Sequence, residues 1–508
     1  MLISIQKKCL LWMDWSLFFR AILKIFDGII NFLCGSLIVG LFTADFNNEK
    51  LKHSKFVQAA ECVLNRFPKF LHPRGESILP PLPRVMQGSR IINFLADSME
   101  TPVYSETEKP AENIFAWFKW FGASFPAWGL LAVAVMTPFL PTMVLAGMLV
   151  VVFGSVLFRY DIKLDLTAVL LLLFIIVNIF MGFGSLAPGT SIPISLLVTV
   201  MMVSYLLIRT CFTSQVRLDF LMACVSLAAG VTALIAFYQI FIGYVNMTWV
   251  DRNLFAALQL RVYSTFGNPN VYGAYLLLAI PLAAGLFIYA AKPVYKMCAA
   301  GVAGMLVIAL ALTYSRGCYL ALAAAVLIFM LIIEKRLIVL YLAGLAALPF
   351  VLPAGMIARI VSILDFTDTS TAFRIAIYQA SIRILGDFWM AGLGQGIEAY
   401  NRAYPFYSFA AVPSPHSHNL FLQVFLETGI IGLIVFLGVL ACFFRTQFSF
   451  IRNTGDTRRK ILSAALTAGA IGFLLQGMFD HVFYNYRVML FFFIYIGIAN
   501  SLAEERAP

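Results

Sequence analysis

From Pro126 to Ala503 the chain alternates long apolar runs with short polar interruptions, and most runs have the length of a membrane-spanning helix. A span needs roughly 20 apolar residues. Such runs occupy 126–139, 141–158, 166–183, 192–208, 218–243, 271–291, 297–313, 317–333, 337–353, 416–444, 461–479 and 488–503. The first two are short and divided by Pro138 and Pro141, so one broken unit is an alternative. The pattern predicts an all-α, polytopic membrane domain over 126–503 with about 12 transmembrane helices. A large loop, 354–415, falls between the ninth and tenth runs.

Residues 1–125 follow a different pattern. Between Trp15 and Leu33, Ser16, Arg20, Lys24, Asp27 and Asn31 recur at helical spacing, opposite Phe18, Phe19, Ile22, Ile25, Phe26 and Ile29. That spacing predicts an amphipathic helix over 15–33 lying in the membrane interface. A spanning helix continuing to Leu41 is the alternative, and Lys24 and Asp27 argue against it. Residues 45–125 mix charge with Pro73, Pro80, Pro81 and Pro83 and read as a cytosolic extension. No short apolar core precedes a small-residue cleavage site, so no cleaved signal peptide is expected.

Composition removes the soluble classes. Of 508 residues 61% are hydrophobic and 12% charged, with mean hydropathy +0.89. The net charge of +11 does not call for nucleic acid, because its distribution obeys the positive-inside rule. Arg159 and Lys163, Arg209 and Arg217, Lys292 and Lys296, Lys335 and Arg336, then Arg445, Arg452, Arg458, Arg459 and Lys460 all follow even-numbered runs. That side, with the basic N-terminus, is expected to be cytoplasmic. The segment 244–270, the turn Ser315-Arg316-Gly317, the loop 354–415 and the turn from Asp480 to Arg487 then face outward. The eight cysteines make no CxxC or CxxH spacing and read as packing residues. No internal repeat is visible, which weakens a transporter built from two related halves.

Few ionisable groups remain outside. His416 and His418, followed by Asn419, stand at the mouth of an apolar helix. Imidazole titrates near neutral pH, so such a residue suits proton transfer, or else is an interfacial polar group. Arg316 lies in a hairpin of two apolar spans, where a cation is costly unless an anion, partner or wet cavity offsets it. Snorkelling is the alternative, made harder by the short turn. Thr371, Arg374, Tyr378 and Arg383 fall on a segment of helical period, with Arg374 and Tyr378 on one face. Guanidinium forks match phosphate oxygens, so Arg316 and Arg374 together suit a diphosphate, or are two solvated charges. Asn268 and Asn270 cap a helix or bind a hydroxyl-rich ligand; Asp480 and His481 cap a helix or orient another group. Asp365 and Asp368 are spaced like a helix cap rather than a metal pair. Gly392, Gly394 and Gly396 read as a tight turn, since no strand precedes them. Hydrolase and nucleotide-driven chemistry find no GxSxG, HExxH or Walker pattern.

Four segments together resemble the O-antigen ligase/polymerase superfamily of bacterial membrane glycosyltransferases: STFGNPNVYGAYLLLAIP (264–281), LTYSRG (312–317), TAFRIAIYQASIRILGDFWMAGLGQG (371–396) and HSHNLFLQVFLETGIIGL (416–433). The last carries the His-Asn, then Gly-x-x-Gly, pattern through His418, Asn419, Gly429 and Gly432. The resemblance covers about 126–503 and says nothing of 1–125. It implies a glycan on an undecaprenyl diphosphate carrier, transferred at the outer face of the cytoplasmic membrane to an acceptor glycan or glycolipid hydroxyl. It implies neither a metal nor a nucleotide sugar. On it, Arg316 and Arg374 hold the diphosphate and His418 is the base, with Arg383, Tyr378, Asn268, Asn270, His416, Asn419, Asp480 and His481 as substrate-binding candidates. Tyr378 stands where the family often has Trp, and Trp389 to Gly394 depart from its Pro-x-Gly-x-Gly, which puts the loop's packing in question. Polymerase and ligase are not distinguished. A transporter of a lipid-linked or anionic solute and a structural partner of an envelope complex are the rival classes.

Overall fold

The computed structural model describes residues 125–243, 261–361, 369–408 and 414–504. The expected interfacial helix 15–33, the rest of the extension to 124, and Asp365 and Asp368 lie outside the described residues. Within them there is no strand, and two single-turn 3-10 helices (Lys335–Leu337 and Val482–Tyr484) accompany fifteen α-helices. They are α1 (Phe125–Met136), α2 (Thr142–Arg159), α3 (Leu166–Phe183), α4 (Pro188–Cys211), α5 (Gln215–Phe241), α6 (Pro269–Tyr289), α7 (Pro293–Leu312), α8 (Arg316–Ile333), α9 (Ile338–Val351), α10 (Ala354–Val361), α11 (Thr369–Phe388), α12 (Ile397–Tyr407), α13 (Leu420–Asn453), α14 (Thr457–Gly477) and α15 (Tyr486–Leu502). Eight, namely α3 to α8, α13 and α14, are long and apolar enough to cross a membrane, and α1, α2 and α15 are shorter apolar helices. Every expected span coincides with a helix, and the chain is an all-helical polytopic membrane protein.

Burial explains the arrangement. The inward positions of α6 and nearly all of α15 from Val488 to Leu502 are buried, whereas α7 and α9 are largely exposed and apolar, as lipid-facing helices must be. Between helices in a bilayer, close packing replaces the hydrophobic effect as the source of association. The α14 sequence supplies it with small residues. Gly469 lies against Pro281 of α6, Gly472 against Ala321 and Ala325 of α8, and Ala465 against Gly285 of α6. Little room is left for larger side chains.

The two ends of the bundle differ in chemistry. At one, Arg209 bridges Asp165 at 3.1 Å and Glu504 at 3.3 Å, and Lys163 joins Glu504 at 3.5 Å. The Asp165 carboxylate also accepts from Tyr205, whose oxygen accepts from Asn500. This network ties α3, α4 and α15 where the basic loops lie. At the other end are the capped starts of α6 and α13, the ends of α5, α7 and α14, and α11.

Two departures from the sequence expectation shape that end. The segment 354–415 carries α10 and α12 besides α11, whose helical period the sequence shows. The second departure is in α13, which runs on to Asn453 rather than stopping near 444 and is broken at Gly429 (φ 65°, ψ −173°). A glycine within an apolar run reads as continuous helix, so hydropathy does not register the break. Carbonyls freed there are taken up by the Gly392–Gly396 turn: Leu393 N–H donates to Leu426 O at 2.6 Å and Gly394 N–H to Glu427 O at 3.2 Å. In return Ile430 N–H donates to Trp389 O at 2.8 Å. A Cβ on Gly429 would run into the Met390 carbonyl, and one on Gly392 into the Glu427–Gly429 backbone. Glycine is required at both positions by sterics as well as by φ.

Candidate active site

The site grows from the start of α13. Asn419 caps that helix, its Oδ1 accepting from Leu422 N–H at 3.0 Å, which leaves the preceding turn to present His418. His418 adopts φ 52°, one of three non-glycine residues with positive φ among those described. The others are Ser264 and Tyr314, and all three lie at this end of the bundle. Such backbones cost about 1–3 kcal/mol each and persist only where the surroundings over-determine them. Around His418 they do. Its N–H donates to His416 Nδ1 at 3.2 Å, and its carbonyl accepts from the Tyr378 hydroxyl at 3.0 Å. That hydroxyl also reaches the Met478 carbonyl at 3.2 Å, to which the Asn419 amide donates at 3.0 Å.

The imidazole meets a carboxylate. His418 Nδ1 lies 3.2 Å from Asp480 Oδ1, while the side chain keeps 29% of its surface exposed. Asp480 is buried in the turn after α14, and the same oxygen accepts from the His481 N–H at 2.9 Å. Burial alone pushes its carboxyl up. The hydrogen bond from His418 and the charges of His418, His416 and Arg374 outweigh that and hold it below the ordinary carboxylate range. An ionised Asp480 requires a donor on Nδ1, so the remaining nitrogen, Nε2, is the one that can accept a proton.

His416 has another role. It stacks on Tyr484 (4.9 Å between centroids) and packs against His418 at 4.3 Å and His481 at 5.4 Å. Burial and the neighbouring His418 lower its pKa to about 4, and its Nδ1 is already an acceptor. Burial likewise lowers His481. The unfolded chain therefore takes up a proton near pH 6.5 that the folded His416 refuses until about pH 4. Stability is full above that window and falls as pH drops through it, by up to about 1.4 kcal/mol per pH unit for one such group. His481 adds in the same sense, whereas Asp480 contributes above its ordinary value near 3.8 and loses its contribution only at lower pH. Thermal unfolding of detergent-solubilised protein is expected to weaken from pH 7 to 4.5, with a shallower slope in His416→Gln. An unchanged slope would rule out a buried neutral His416.

The cations approach from α11 and α8. Arg374 lies within electrostatic reach of Asp480, His416 and Tyr378. Arg316 begins α8, whose Gly317 packs on Gln476, one turn before Asp480. Cys318 in the same turn senses Asp480, Arg261 and Arg374. Arg261 is a cation the sequence reading passed over. Its guanidinium donates to Thr313 O at 2.8 Å and to Asn270 Oδ1 at 3.0 Å, pinning the approach to α6 against the Arg316 hairpin. Its place seven residues before the Asn268 cap was the available signal. Asn268 Oδ1 accepts from Asn270 N–H at 2.8 Å, so of its two readings it carries out the capping. Arg383 donates to the Tyr407 carbonyl at 3.4 Å, half a helical turn out of phase with Arg374. The structure thus gathers His416, His418, Asn419, Tyr378, Asp480, His481 and Arg374, and brings the start of α8 beside them.

His416, His418 and Asp480 also offer ligand atoms within 4.8 Å of one another, the one such metal-compatible group among the described residues. Two of these side chains already spend a ring nitrogen or carboxylate oxygen on the hydrogen bond between them, and His416 Nδ1 is spent on a backbone N–H. As placed, His418 and Asp480 form a hydrogen-bonded pair with His416 packed beside it.

No curated protein sequence matches the chain. A family model does: residues 300–437 match that of the O-antigen ligase, a stretch that includes Arg316, Arg374, Tyr378, His416, His418 and Asn419. Together with the membrane-spanning helices, that match over 300–437 supports the O-antigen ligase/polymerase superfamily for this chain.

Proposed function

We propose that the protein transfers a glycan from an undecaprenyl diphosphate carrier to a sugar hydroxyl of an acceptor glycan or glycolipid, at the outer face of the bacterial cytoplasmic membrane. The observation that carries the reading is the His418–Asp480 contact of 3.2 Å, beside Arg374 at the end of the bundle away from the basic loops. Asp480 sets the tautomer and His418 Nε2 takes the acceptor hydroxyl proton, a contribution of roughly 100- to 10,000-fold for a positioned base. The acceptor oxygen forms the new bond to the anomeric carbon as the bond to the diphosphate oxygen breaks. Negative charge then grows on the carrier diphosphate, where Arg374 and Arg316 offset it in a site of low dielectric. A single displacement of this kind inverts the anomeric centre. The imidazolium, stabilised by Asp480, returns its proton to water. No step requires a metal or a nucleotide sugar.

The test is direct. Purified protein in bilayers, given a lipid-diphosphate oligosaccharide and chelator, is expected to release the diphosphate carrier and lengthen or cap the acceptor with an inverted linkage. Binding of the donor without product would favour the transporter reading instead. Activity lost with chelator and restored by a divalent cation would show the dyad to be a metal site.

A further inference from the structure

Glu427 is a buried carboxylate that the chemistry above does not use. It sits in the short first piece of α13, two residues before the break at Gly429. Burying a carboxyl there is costly unless its hydrogen bonds are made. Oε1 accepts two. The Gln423 side-chain amide donates at 3.0 Å, and the Gly396 N–H donates at 3.4 Å.

Those two donors belong to opposite halves of the site. Gln423 turns its own Oε1 to the Ser417 N–H at 2.8 Å, immediately before His418. Gly396 ends the turn after α11, the helix that carries Arg374 and Tyr378. The circuit closes through the Tyr378 hydroxyl, which donates back to the His418 carbonyl. Gln423 has an amide with two unlike ends, and the buried Ser417 N–H can donate only to its oxygen. What selects that orientation is an acceptor at position 427. Without one, a flipped amide would oppose one donor to another, and the Ser417 N–H next to the strained His418 turn would lose its acceptor.

We infer that Glu427 is a positioning residue: by accepting from both Gln423 and Gly396 it sets the Gln423 amide, and through Ser417 it aligns the His418 turn with the arginine-bearing α11. The inference rests on the transfer reading for its kinetic consequence, but the hydrogen-bond relay can be read without it.

The test uses the full chain in bilayers. Glu427→Leu removes the acceptor and is expected to lower kcat by about 100-fold, the size of a misplacement near 1 Å. Glu427→Gln keeps Oε1 and stays near the wild-type rate. Gln423→Glu sets two carboxylates against each other and is slow, while the swap Gln423→Glu with Glu427→Gln rebuilds the bond between 423 and 427 and the acceptor for Ser417, gives up the longer bond from Gly396, and recovers part of the activity. A purely structural role would show as lower abundance or melting temperature, without rescue of kcat by the swap. Should Glu427→Leu fail to accumulate, the swap against Gln423→Glu decides alone. A swap no faster than Gln423→Glu, or a Glu427→Leu protein of wild-type kcat, overturns the relay. Carbethoxylation of His418 by diethyl pyrocarbonate, read on its peptide, needs no substrate. It is expected to quicken several-fold in Gln423→Glu and to fall back toward the wild-type rate in the swap. If the wild type transfers no glycan, the proposed function falls while this labelling order still upholds or overturns the relay.

Discussion

Replacing His418 with alanine is expected to slow glycan transfer by roughly 100- to 10,000-fold, the range for a positioned general base, while the protein stays inserted. The loss should fall on kcat. On the proposed roles, donor affinity comes from Arg374 on α11 and Arg316 on α8 and not from the His418 ring. His416→Ala gives the useful contrast. Its Nδ1 is engaged with the His418 N–H, so its removal loosens the turn without deleting the base, and the defect should be milder. Single-turnover rates with a lipid-diphosphate donor, at matched protein abundance, separate the two. A His418→Ala protein that transfers at the wild-type rate ends the base assignment. Unchanged function in His418→Ala, Arg316→Ala and Arg374→Ala alike would favour the structural-partner reading.

What the sequence makes legible is what local chemistry encodes. A span is an uninterrupted apolar run, and its sidedness is a bias of Lys and Arg in adjoining loops, so both can be read without a fold. The turn before α13 is legible for a similar reason, since a His-Asn step ahead of an apolar helix is a capping signal of a few residues. The Asp480 partner is not. It stands 62 residues from His418, and only the packing of α14 against α13 brings them to 3.2 Å. Asp480 reads equally well as a cap until that distance is known. The break at Gly429 is hidden for the opposite reason: its neighbours are apolar on both sides, so hydropathy runs straight through it. Gln423 and Glu427 look like polar residues tolerated in a span, and their meaning lies in the backbone donors of Ser417 and Gly396. Arg383 was legible in part. Nine residues beyond Arg374 is two and a half turns, enough to place it on the other side of the helix from the phosphate candidates.

Asp480→Asn is the more discriminating substitution, because it keeps the shape of the side chain and changes its chemistry. The wild-type carboxylate accepts from His418 Nδ1 and from the His481 N–H. Both bonds fall on Oδ1: an asparagine oxygen kept in that place accepts from both groups and loses only the charge, whereas an asparagine turned over sets its NH2 against His418 Nδ1 and the His481 N–H. A donor there demands an acceptor on Nδ1, which moves the imidazole proton to Nε2, the nitrogen that must receive the acceptor hydroxyl's proton. Turned over, it leaves the base present, correctly placed and already protonated; with the oxygen kept, the base loses only the charge that stabilises its imidazolium. The expected loss in kcat reaches the order of 10,000-fold where the amide turns over, the effect of imposing the wrong tautomer in a Ser-His-Asp triad, and is smaller where the oxygen stays. Donor affinity should move the other way or not at all. Removing a negative charge within reach of Arg374 leaves that guanidinium freer to meet a diphosphate, so KM for the donor stays level or falls. In wild-type protein Asp480 is held below the ordinary carboxylate range, so it remains ionised through neutral pH and contributes no limb of its own to the rate profile there. An Asp480→Asn enzyme with intact kcat and a raised donor KM would instead make Asp480 part of the substrate-binding surface, and His418 would then need another group to orient it.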